Sequence, residues 1–136
     1  MNRLVRNRVL APLALFVTLA STACVAAVGA AAGYVVYTQV LPNNVHVAQV
    51  SIDVDKAWPS VKETLTFFQS PGTELTIHDF PRTIEANVEG SKVLVAVEAD
   101  DIDRTTIRVT AEKYLAKDDT TASEVMSRIL DRLGEL

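Results

Sequence analysis

Residues 9–36 contain no charged side chain, and only Thr18, Ser21, Thr22 and Tyr34 interrupt the apolar run around Cys24. Roughly 20 apolar residues are enough to cross a bilayer as a helix, so this stretch is too greasy and too long for an ordinary surface element. Arg3, Arg6 and Arg8 precede it. The pattern admits three readings. One is a cleaved secretory signal with a basic start, an apolar centre and the small residues Ser21-Thr22-Ala23 before the cut. Another is a lipoprotein signal, in which Cys24 becomes the first mature residue and carries acyl chains. The third is an uncleaved anchor, with the arginines on the cytoplasmic side and Tyr34 and Tyr37 at the far interface.

Cys24 is the only cysteine, so no intramolecular disulfide accounts for it. It also stands where the apolar centre gives way to small residues. Both features favour lipidation, with a membrane-buried small apolar residue as the bland alternative. Three places before Cys24 stands Ser21, where a lipidation signal carries an aliphatic residue, and this keeps the uncleaved anchor open. Gly29 and Gly33 form a GxxxG pair that lets two membrane helices approach closely, although an alanine-rich tether reaches that spacing by chance.

Taking residues 1–23 as signal and 24–44 as tether leaves 45–136 as one folded domain, enough to bury a modest core without staples. The whole chain has 13 basic and 17 acidic residues. Loss of the three arginines leaves 10 against 17, a charge of −7 on the mature part. That excess argues against nucleic acid or an anionic surface as the main partner.

Pro42, Asn43 and Asn44 mark the expected domain boundary. Residues 45–52 read as a strand whose alternation breaks at Ala48-Gln49, as a bulge or an edge position would explain. Residues 53–69 read as a helix capped by Asp53, with Val54, Ala57, Trp58, Val61, Leu65 and Phe68 on one face and a distortion expected at Pro59. Strands follow at 74–80, 83–89, 92–99 and 105–114. The Gly90-Ser91 pair predicts a type II′ hairpin that sets Val88 opposite Val93. A second helix begins at the Thr121–Glu124 capping box, buries Ala122, Val125, Met126, Ile129, Leu130 and Leu133, and pairs Glu124 with Arg128. The sum is an α+β two-layer sandwich behind an N-terminal signal or anchor helix. Its antiparallel sheet has four to five strands, with two helices on one face, in the order β-α-β-β-β-β-α.

Several of these residues carry a resemblance. A lipobox-like cysteine precedes Val-Ala-Ala-Val-Gly-Ala-Ala-Ala-Gly, Asp55-Lys56-Ala57-Trp58 opens a helix, and Ile84-Glu85-Ala86 leads to a glycine turn. Ile107-Arg108-Val109 and Ser127-Arg128-Ile129-Leu130 follow. The chain resembles the short bacterial envelope lipoproteins grouped as a domain of unknown function, the three-five-six-eight type, over residues 24–133. That resemblance implies a lipid anchor, a periplasm-facing α+β domain and no known activity. Val25, in place of the aspartate that retains such lipoproteins at the inner membrane, implies the outer membrane.

No catalytic set, cofactor site or metal site is expected. His46 and His78 stand on different strands and read as solvated residues, and a zinc site needs three or four ligands. Asp100, Asp101 and Asp103 lack the full calcium-loop spacing. Phosphate-cradling glycine loops and nucleophile elbows are absent from the sequence. The partners left are membrane lipid, an envelope protein met through the sheet edge or its outward face, and weak self-association through Gly29 and Gly33. A small enzyme using Glu85 and Glu112 across the sheet is the competing class.

Overall fold

The computed structural model describes residues 34–136. Two helices cover one face of a seven-stranded antiparallel sheet, the α+β class expected from the pattern. In chain order the elements are β1 (Val35–Leu41), β2 (Val45–Val50), α1 (Val54–Phe68), β3 (Thr76–Asp79) and β4 (Arg82–Val88). Then come β5 (Ser91–Asp101), β6 (Arg104–Lys113), β7 (Ala116–Lys117) and α2 (Asp119–Leu133). Across the sheet the order is β1-β2-β6-β5-β4-β3, with the short β7 hanging on β6.

The sheet has more strands than the expected four to five, and the largest correction is β1. Residues 35–41 fall in the expected tether, yet they pair with β2 from Val35↔Val50 to Leu41↔Val45. The folded body therefore includes Tyr34 and β1 ahead of Val45. The reason is local. Asn43 and Asn44 take φ values of 65° and 56°, a left-handed geometry that asparagine tolerates, so Pro42-Asn43-Asn44 closes a hairpin instead of opening a linker. The same pairing explains the broken alternation in β2. It is neither bulged against β6 nor at an edge; it lies between β1 and β6, and His46, Val47, Ala48 and Val50 are all buried.

The β4–β5 hairpin is shifted from its expected register. Val88 pairs with Ser91, Ala86 with Val93 and Ile84 with Val95, so the loop is Glu89-Gly90. Both loop residues have positive φ, 52° and 83°, as a type I′ turn requires; that turn matches the right-handed twist of the strands. The shift preserves which residues face inward, so the dry side keeps Ile84, Ala86 and Val88. Glu89 occupies a conformation that costs an ordinary L-residue roughly 1–2 kcal/mol and that asparagine visits more readily. Glu89→Asn is therefore expected to stabilise the fold by about 1 kcal/mol, a rise of about 4–8 °C in Tm for a domain of this size. A lowered Tm would show that Glu89 makes a contact worth more than the strain.

Helix α1 begins where Asp53 accepts a bond from the Asp55 N–H at 2.8 Å. It runs unbroken through Pro59, which faces solvent, and buries Val54, Ala57, Trp58, Val61 and Leu65. Helix α2 is capped three residues earlier than expected. Asp118 accepts from the Thr121 N–H at 3.1 Å and from its hydroxyl at 2.7 Å, so Thr121 is a capped residue and not the cap. The expected apolar face of α2 is buried in full, and Glu124 and Arg128 pair at 3.7 Å.

Between helices and sheet sits one core. Val95 pairs with Ile84 on one side and Val109 on the other, and all three are fully buried. Against this floor α1 lays Val61 and Leu65, and α2 lays Val125, Ile129 and Leu133. Apolar area removed from water at this seam is the main favourable term for the fold.

The registers also define two poles. Tyr34, the loop after β2, the Phe80-Pro81 turn and the Ile102-Asp103 turn share one. The 42–44, 89–90 and 114–115 turns share the other, with the N-terminus of α2. The Phe80-Pro81 bond is cis, with proline at the third position of its turn.

Candidate functional site

Cys24, Gly29 and Gly33 lie outside the described residues. Tyr34 and Tyr37, which the anchor reading set at a membrane interface, belong to the folded body. The Ser51 N–H donates to the Tyr34 carbonyl at 2.7 Å, and the Tyr34 hydroxyl donates to the Leu130 carbonyl. Tyr37 stands opposite Gln49 in the sheet. Burial, with the Asp131 carboxylate nearby, raises the Tyr34 hydroxyl above its ordinary pKa.

The outward sheet face is polar and internally paired. Lys92 meets Glu85 at 2.8 Å, Arg108 meets Glu98 at 2.5 Å, and Lys117 meets Glu112. Glu85 and Glu112 sit on β4 and β6 with β5 between them, each already bound to a lysine. Hydrogen bonds from Lys92 and Lys117, then the charges of those lysines, hold both carboxyls below the usual range. Acid–base work by a carboxylate pair needs the two pKa values pushed apart, and here both move the same way. Asp100 turns outward at a bulge, accepting from Gln49 Nε2 at 2.8 Å and from the Thr106 hydroxyl, so it does not gather with Asp101 and Asp103.

The histidines part company. His78 is exposed on β3. His46 is 7% exposed, and its Nε2 lies 2.7 Å from Asp119 at the first turn of α2. The expectation of a solvated His46 is wrong because β2 is an interior strand whose inner face is roofed by α2. Next to it Asp118 accepts from the buried Ser91 hydroxyl at 2.5 Å as well as from Thr121. These hydrogen bonds, Ser91 first, lower its pKa to about 2. Sequence reading missed this polar knot, since it put Ser91 in the hairpin loop and the helix cap at Thr121. Among the described residues no three His, Cys, Asp or Glu side chains gather as a metal site.

Trp58 is a core anchor, 6% exposed, and its indole N–H donates to Asp79 at 2.7 Å. That bond chiefly holds the Asp79 carboxyl below its ordinary range. On the outer side of the helices a shallow groove of about 370 Å³ runs past Thr64, Phe67, Phe68, Arg128 and Arg132. Phe67 is 83% exposed, the Arg128 guanidinium stacks 5.1 Å from the Phe68 ring, and Arg132 bridges Glu63 and Glu135.

Among the described residues the two outermost strands of the sheet differ. β3 is four residues long and carries Asp79. β1 is seven residues long, Val-Val-Tyr-Thr-Gln-Val-Leu, without charge or proline, and exposes Val36, Tyr37, Val40 and Leu41. Among the described residues no helix is long and apolar enough to cross a membrane. No protein-family model matches the chain, and no curated protein sequence matches it either. The likeness to envelope lipoproteins rests on the sequence patterns alone.

Proposed function

We propose that the chain is a membrane-anchored module of the bacterial cell envelope, carrying acyl chains on Cys24 and presenting its acidic α+β body to the periplasm. Its role is to bind or brace an envelope protein, and not to catalyse. One observation carries this reading: an uncharged run of 28 residues, 9–36, follows three arginines. The pairing of Glu85 and Glu112 with lysines supports a non-enzymatic role. The apolar surface of β1 supports a protein partner, because Val36, Tyr37, Val40 and Leu41 are exposed along it. Val25 favours the outer membrane; the single-pass inner-membrane form, with the same body, is the alternative.

Intact mass spectrometry of the protein from its own membranes tests the reading. An acylated Cys24 terminus is the expected result. An intact Met1 in the membrane would replace lipidation by the uncleaved anchor, and a soluble chain with no leader would overturn the anchored module.

A further inference from the structure

We propose that the pole carrying Tyr34, Phe80 and Ile102 rests on the bilayer, with the two hairpin tips placing their side chains among zwitterionic headgroups. The proposal depends on the anchored reading above and adds an orientation and a lipid class to it.

The first support is where the fold takes up the chain. Tyr34 is fixed at this pole through its carbonyl and its hydroxyl, so the chain enters the described body here. Between Cys24 and Tyr34 the backbone extends at most about 33–36 Å. The sheet itself is about as long, since β5 has 11 residues at about 3.4 Å each. The opposite pole could reach the same bilayer only with the tether pulled taut along the whole body. An uncleaved anchor leaves still less slack.

The second support is what this pole exposes. Phe80 is 90% and Ile102 85% exposed, each at the tip of a two-residue turn. Neither packs into the core, and apolar area of this size gains by leaving water. The Arg82 guanidinium lies 5.8 Å from the Phe80 ring, so its stem follows the tip while its charge can stay among the headgroups.

Charge then selects the lipid. The pole carries Asp53, Asp55, Asp79, Asp101, Asp103 and, beside Tyr34, Asp131, against Lys56, Arg82 and Arg104, and Arg82 is engaged by Asp55 at 2.5 Å. An acidic rim is repelled by an anionic surface and accepts the ammonium groups of phosphatidylcholine or phosphatidylethanolamine.

The far pole supplies the control. Tyr114 and Leu115, 91% and 99% exposed, form an equally apolar tip that points away. The full-length chain is reconstituted into phosphatidylcholine vesicles brominated along the acyl chains, as wild type and as F80W, I102W and L115W. Wild-type emission from the core Trp58 is the baseline. Interfacial side chains sit roughly 5–10 Å into the headgroup–acyl boundary, so the emission added by F80W and by I102W should fall about twofold. The emission added by L115W should not change. In vesicles rich in phosphatidylglycerol the quenching of F80W should weaken; stronger quenching there would overturn the lipid class. If the chain floats with the vesicles but F80W and I102W are quenched no more than L115W, the orientation is wrong and the anchor stands. A chain that does not float with vesicles overturns both.

Discussion

Trp58→Ala should lower the unfolding free energy by about 4 kcal/mol, in the range of large-to-small changes at buried aromatic positions. The indole is 6% exposed, and it links α1 to the β3 edge through the Asp79 bond at 2.7 Å. Truncation opens a cavity under the helix and also strips Asp79 of its main hydrogen-bond donor. Phe67→Ala is the matched control, because Phe67 lies two and a half turns further along the same helix and is 83% exposed. Its change should stay within about 0.5 kcal/mol, as for surface sites without special features. Urea midpoints at constant m-value measure both. Equal losses for the two variants would mean that α1 does not pack on the sheet through this face.

Asp118→Ala should cost about 3 kcal/mol, from two separate sources. Loss of a helix cap accounts for about 1 kcal/mol. A buried hydroxyl left without its partner adds roughly 1–3 kcal/mol, and Ser91 is fully buried. The double variant Ser91→Ala, Asp118→Ala should therefore recover part of the loss, since removing both partners costs less than orphaning one. The carboxylate also sets a pH window. Its folded pKa, about 2, lies below the ordinary 3.8, so its stabilisation is complete above about pH 4 and disappears as pH falls through about 2. Asp118→Asn should flatten the stability profile across that interval and leave its shape near neutrality unchanged. A variant profile parallel to wild type between pH 4 and 2 would show that Asp118 does not carry this term.

What could be read from the chain follows from how strong each local pattern is. Both helices announce themselves through spacing: Val54, Ala57, Trp58, Val61 and Leu65 on one, and Ala122, Val125, Met126, Ile129, Leu130 and Leu133 on the other, are all buried. Strands β4, β5 and β6 are equally plain, because each has one dry and one wet side. β1 is illegible for a physical reason. Its seven residues continue the apolar run before them, and nothing polar alternates to mark a half-buried surface. Only its pairing with β2 makes it a strand, and that pairing depends on Pro42-Asn43-Asn44 closing a hairpin where a linker was expected. The hairpin register failed at Glu89, a residue whose positive φ no propensity would suggest. A loop of Glu89-Gly90 turns Ser91 inward, and that is what brings it to Asp118.

The outward face was legible as polar, and its lysine partners were not. Pairing across the sheet depends on register: a Gly90-Ser91 loop sets Glu89 opposite Lys92, where Asn87 stands. His46 taught the same lesson from the other side. A histidine in a strand with broken alternation looks solvated until the neighbour on each flank and the helix above are known.

Labelling with a membrane-impermeant amine reagent in spheroplasts tests the central claim most directly. Lys62, Lys92 and Lys117 are carried by the folded body, and each retains accessible surface. If the leader delivers that body to the far side of the inner membrane, these lysines should react in intact spheroplasts as fully as after lysis. Lysines that react only once the membrane is broken would place the body in the cytoplasm and contradict the account.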